Sequence, residues 1–159
     1  MNFKFGNLFT RLFWGGVKLL PLEQAVLSQL VELFPEQFRE ILETQLEACN
    51  LVQREVDGRA LNFYRMVRGR VTREGVPNLP VRSGEVLLLK MTFNLHDRPE
   101  LIYATMTAID RQFFCINLSQ DLRPIGNYTK IVAQDVTNSW RSGVVGAQHS
   151  VHRDKLKCL

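Results

Sequence analysis

The run GEVLLLKMTF, residues 84–93, decides the fold. Read with a period of two, Leu87, Leu89, Met91 and Phe93 fall on one side, and Val86 and Leu88 on the other. A strand that is apolar on both sides belongs inside a sheet, with a covering layer on each face. The rest of the chain is then read for strands that flank it and layers that cover it.

Strands follow directly. NLHDRPE (94–100) is turn-forming. LIYATMTAI (101–109) and QFFCINL (112–118) read as two more strands joined at Asp110-Arg111. After the turn-rich SQDLRPIGNY (119–128), TKIVAQDV (129–136) reads as a last strand. Upstream, NLVQREVDGRALNFYRMVRGRV (50–71) has Asp57-Gly58 between two alternating runs. That dipeptide predicts a hairpin whose two turn positions both take positive φ. Its strands are expected at about Leu51–Val56 and Arg59–Val71, with TREGVPNLPVRSG (72–84) as the loop that follows.

Two helices precede the strands, each introduced by a proline suited to a first helical turn. In LPLEQAVLSQLVELF (20–34), Leu22, Val26, Leu30 and Leu33 make one stripe, widened by Ala25 and Leu27. Glu23 sits where the helix dipole favours an acid. In FPEQFREILETQLEACN (34–50), Phe38, Ile41, Leu42, Gln45, Leu46 and Cys49 trace an inward face. Glu36, Glu40, Glu43 and Glu47 trace a row on the outside.

The opening MNFKFGNLFTRLFWGGVKLLP is a third source of apolar cover. Lys4, Asn7, Arg11 and Lys18 fall on one side of a helix, and Phe5, Phe9, Leu12, Phe13, Val17 and Leu20 on the other. A basic amphipathic helix of this kind suits a membrane interface, a partner, or the protein's own core. Gly15-Gly16 ends it after a few turns, and Arg11 interrupts the apolar run that an export signal needs. The reading adopted is a lid on the second face of the sheet, with membrane contact through residues 3–20 as the rival.

Helices first and antiparallel strands after define an α+β fold: N-terminal helices packed on a five- to six-stranded, mostly antiparallel meander. By fold-level analogy alone the arrangement resembles cystatin-like and nuclear-transport-factor-like cones, scaffolds that host many functions. One domain is expected over 1–159: an amphipathic segment (1–20), a helix pair (21–49), the sheet (50–136) and an irregular tail (137–159). Hydrophobic content of 45% and charged content of 23% are those of an ordinary globular protein. Cys49, Cys115 and Cys158 are odd in number and form no CxxC pair, which points to a reducing, cytoplasmic setting.

Catalytic signatures are missing from the sequence. There is no G-x-S-x-G elbow, P-loop or G-x-G-x-x-G. His96 lies in a turn beside Asp97 and reads as structural. His149 and His152 form H-x-x-H ahead of Cys158, but two ligands make no metal site, so neither a metal nor a cofactor is expected. Charge layout is more informative. The net charge of +4 conceals an acidic second helix and an arginine-rich strand. In RMVRGRVTR, Arg65, Arg68, Arg70 and Arg73 come within nine residues, next to Tyr64. On one continuous strand, Arg68 and Arg70 would share a face with Tyr64 and Met66.

The function expected is a non-enzymatic protein-binding module of inhibitor or immunity type. It would act through the arginines or the glutamate row, on another protein or on a second copy of itself. The first rival is a small-molecule-binding cone or small enzyme with a pocket lined by Tyr103, Met106, Phe113 and Trp140. The second is nucleic-acid binding through the arginine-rich strand.

Overall fold

A computed structural model describes residues 16–96, 98–125 and 131–138. The amphipathic opening (1–15), Trp140, His149, His152, Cys158 and most of the expected tail lie outside the described residues. Helices α1 (Pro21–Leu33) and α2 (Glu36–Ala48) pack with a curled antiparallel sheet, an α+β arrangement. The strands are β1 (Leu51–Arg54), β2 (Ala60–Tyr64), β5 (Glu85–Leu95), β6 (Arg98–Ile109), β7 (Gln112–Leu118) and β8 (Ile131–Asn138). Between β2 and β5 stand two short strands of a separate ribbon, β3 (Met66–Val67) and β4 (Arg70–Val71).

The sheet order is β1-β2-β7-β6-β5-β8. Only β5-β6-β7 is a sequential meander. The β1-β2 hairpin joins at β7 and β8 joins at β5, all antiparallel.

β5 is interior, paired on both sides, as its sequence demands. It is not buried on both faces. Leu87 pairs with Thr107 but Leu89 pairs with Met106, so Leu88 is an extra residue, a β-bulge. The bulge resets the alternation. Val86 and Leu88 face the core before it, and Leu89, Met91, Phe93 and Leu95 after it. Leu88 and Leu89 are both fully buried, while Leu87 is 39% exposed. The outward side of β5 carries Glu85, Leu87, Lys90, Thr92 and Asn94. β7 repeats the device: Thr107 pairs with Cys115 and Ala108 with Phe113, leaving Phe114 as the extra residue.

The helices bury the faces expected of them. Leu22, Val26, Leu27 and Leu30 of α1 and Leu42 and Leu46 of α2 join one core with the inward sheet residues. Each fully buried side chain of this size contributes about 1.5–3 kcal/mol relative to exposure. Polar joints fix the layers. Glu23 is 1% exposed, accepts the Leu20 N–H at 2.7 Å, and is gripped by the Arg54 guanidinium at 2.6 and 2.8 Å. Arg39 of α2 donates to the carbonyls of Glu32 and Phe34, closing the C-terminal end of α1. The chain reaches α1 along the β1 edge, where the Val17 N–H donates to the Val52 carbonyl at 2.8 Å.

Candidate binding interface

The arginine-rich stretch is not one strand. β2 stops at Tyr64, and the chain doubles back as a small ribbon in which Met66 faces Val71 and Val67 faces Arg70. Arg68 (φ 50) and Gly69 (φ 79) make its turn, both left-handed, the geometry of a type I′ hairpin. This corrects the expected strand Arg59–Val71 and its faces. Arg70 shares a side with Val67, not with Met66, and Arg68 occupies the tip.

The two-positive-φ turn expected at Asp57-Gly58 is also revised. Only Gly58 is left-handed there (φ 75), and its N–H donates to the Glu55 carbonyl at 2.9 Å. That is a turn over Glu55–Gly58 within a four-residue loop, 56–59, closed by the Glu55 N–H on the Ala60 carbonyl at 2.9 Å. Gly58 has a second reason to be glycine: a Cβ would stand 2.3 Å from the Asp121 carboxylate.

The four arginines divide into two pairs. Arg65 donates through Nη1 to the Glu74 carbonyl. Arg73 pairs with Asp110 at 3.0 Å. Asp110 is the hub of this corner. Its carboxylate also accepts the Gly84 N–H at 3.0 Å and the Ser83 hydroxyl at 2.9 Å. The Gly84 N–H, then Ser83 and Arg73, hold its carboxyl below the usual range. Asp110 and Arg111 both adopt positive φ (50 and 69), a strained turn that these bonds fix. Arg65 and Arg73 are therefore employed in holding the ribbon. Arg68 and Arg70 are exposed, and among the described residues neither guanidinium makes an ion pair or hydrogen bond.

The root of the ribbon is rigid. The Asn50 amide donates to the Met66 carbonyl and accepts the Met66 N–H, each at 2.8 Å. Tyr64 meets Phe114 edge-on at 5.6 Å, and burial pushes its phenol up. Buried Gln45 of α2 accepts the Phe113 N–H at 2.7 Å and donates to the Pro77 carbonyl at 2.6 Å and the Arg111 carbonyl at 3.2 Å. The bulged start of β7 and the loop before β5 are thereby tied to one helix. The Cys49 thiol beneath the ribbon is pushed up to about 12 by burial, against the opposing effect of Arg65.

Among the described residues, hollows adjoin the ribbon. A crevice of about 60 Å³ lies at its root, between Cys49, Tyr64, Arg65 and Phe114. An open cleft of about 650 Å³ lies on the side bearing Arg65, Val67 and Arg70. Another, of about 820 Å³, runs beside β4 and is bounded by Val71, Arg73, Val76, Asp110 and Gln112. Val67 and Val71 are exposed next to them.

The other expected residues lie elsewhere. Glu36, Glu40 and Glu47 are exposed along α2, Glu43 is half-buried, and none forms an ion pair among the described residues. Tyr103 and Met106 do not share a pocket. Tyr103 is 43% exposed on the outward side of β6 with the Lys90 ammonium 4.9 Å from its ring centre, while Met106 and Phe113 are core. The odd spacing between Tyr103 and Met106 puts them on opposite faces. His96 is exposed in its turn. Among the described residues there is no cluster of three or more metal-ligating side chains, and no helix long and apolar enough to cross a membrane.

The sequence marks Asp110 only as part of a turn and carries no sign of the roles of Asn50 and Gln112. The Arg68-Gly69 dipeptide was the available sign that the chain turns there, since a glycine flanked by alternating residues marks a hairpin as Asp57-Gly58 does. No protein-family model, curated protein or solved structure matches this chain.

Proposed function

We propose that this protein is a non-enzymatic binding module that engages an acidic protein partner through the tip of the β3–β4 ribbon. One observation carries the reading. Of four clustered arginines, two are consumed in bracing the ribbon and two are left unpaired at its end, beside exposed Val67 and Val71. Arginine forks suit bidentate contact with carboxylates, and the valines add apolar area. The ribbon is clasped from both elements at its root, so little ordering is needed on binding.

The test is affinity capture from the native host's lysate, with and without nuclease, read by quantitative mass spectrometry. Three baits are compared: the wild type, an R68E/R70E variant and an E40R/E43R/E47R variant. The expected result is a partner held by the wild type and by the helix variant, lost with the ribbon variant, and unaffected by nuclease. Nuclease-sensitive capture would transfer the function to nucleic acid. Loss with the helix variant alone would move the interface to the glutamate row of α2.

A further inference from the structure

We propose that the outer edge of β4 accepts an extended, carboxylate-bearing segment of the partner as an added strand. This rests on the ribbon's being the binding surface and specifies how that surface works.

The ladder geometry supplies the first step. A two-residue turn makes Val67 and Arg70 a hydrogen-bonded pair, and the Thr72 N–H donates to the Arg65 carbonyl at 3.0 Å. Met66 and Val71 lie between these, so they form a non-hydrogen-bonded pair. Their N–H and C=O groups point away from the ribbon, one set on each side. On the Met66 side both are satisfied by the Asn50 side chain. On the Val71 side no group among the described residues meets them. Two residues further on, the Arg73 carbonyl is taken by the Gln112 amide at 2.9 Å. One edge is thus capped by a side chain that mimics a strand, and the other is open at Val71.

The surroundings suit an extended chain. A shallow, open depression of about 820 Å³ adjoins this edge and is also bordered by Gln112 and Asp110. Val71 is 57% exposed, so this edge is open to solvent. A strand laid here would exchange two backbone bonds with Val71 and place alternate side chains over the ribbon. Arg68 and Arg70 select carboxylates for those positions. Asp110 does not oppose them, because Arg73 already neutralises it. The backbone bonds supply affinity that two exposed ion pairs lack, since solvent and salt screen such pairs.

The probe is the peptide acetyl-Glu-Val-Glu-Val-Glu-Val-amide, titrated into the ¹⁵N-labelled full chain and followed by amide shifts and hydrogen exchange. The expected result is a saturable downfield shift of the Val71 amide, with slowed exchange there. Substitution R70E weakens binding by about tenfold. Val71→Pro abolishes it. The proline removes only an outward N–H, and edge strands tolerate that. Protected Val67 and Thr72 amides report that the ribbon still forms in this variant, and wild-type exchange at Val71 reads the edge without any substitution. Undiminished binding by Val71→Pro alongside its loss in R68E/R70E would overturn the added strand while leaving the charged tip as the binding surface. No ribbon shift up to about 1 mM peptide would also overturn it. Whether the partner itself is lost from R68E/R70E is decided separately by the capture experiment.

Discussion

Arg68 is the residue at which local preference and apparent use conflict. A type I′ turn favours Asn, Asp or Gly at its first central position, and an arginine at φ 50 is strained there. Residues that break a local rule are expected at functional sites. Substitution R68N should therefore raise stability by roughly 0.5–1 kcal/mol in urea unfolding while weakening partner binding. A variant that is both less stable and fully binding would remove Arg68 from the interface. Asp110 presents the opposite case, a strained residue whose bonds are all internal. Its carboxyl lies below the ordinary value in the folded state. Its contribution to stability is thus present above the unfolded-state pKa and lost as pH falls through the folded one. In Asp110→Asn, stability at neutral pH falls, and the acid limb of a stability profile between about pH 6 and pH 2 becomes shallower. An unchanged profile would mean that Ser83, Gly84 and Arg73 do not depend on that charge.

At the scale of elements, β5 shows what alternation can and cannot reveal. Val86 and Leu88 on one parity and Leu89, Met91 and Phe93 on the other do read as a strand greasy on both sides. The strand and its interior place were legible from that pattern; its pairing with β8 was not, because a sequential meander would set β5 beside the preceding strand. The bulge at Leu88 was not, because an inserted residue changes parity without changing composition. The structure therefore predicts an unusual alanine scan. Leu88→Ala and Leu89→Ala, though adjacent, should each cost about 2–5 kcal/mol, and Leu87→Ala under about 1 kcal/mol. Chemical denaturation of the three variants separates the cases. A regular two-faced strand would instead make Leu87 and Leu89 costly together. The ribbon was missed for a related reason. Arg59–Val71 keeps its alternation up to Tyr64, and the ribbon after it is held at Met66 by Asn50, 16 residues away, and at Arg65 by the Glu74 carbonyl. The helices posed no such difficulty. Their apolar stripes and initiating prolines are local signals, and even Gln45 declared itself by lying among Leu42, Leu46 and Cys49 on the buried side.

Considered whole, the molecule concentrates its effort at one corner. Gln45 from α2, Asn50 from the helix-to-strand joint, Asp110 from the β6–β7 turn and Gln112 from β7 all brace the ribbon or the loop beside it. The sequence showed the arginines but not which of them were free, because Asp110 lies 37 residues from Arg73. Only folding brings that carboxylate to Arg73 and leaves Arg68 and Arg70 without one. The glutamate row of α2 and the outward side of the sheet with Tyr103 are the two competing surfaces. Site-specific photo-crosslinking in cells compares these three surfaces directly, with p-benzoylphenylalanine placed in turn at Val67, Glu40 and Leu101. A discrete protein adduct from Val67, absent from the other two positions and abolished by R68E/R70E, is the predicted outcome. Adducts from Glu40 or Leu101 with none from Val67 would contradict it.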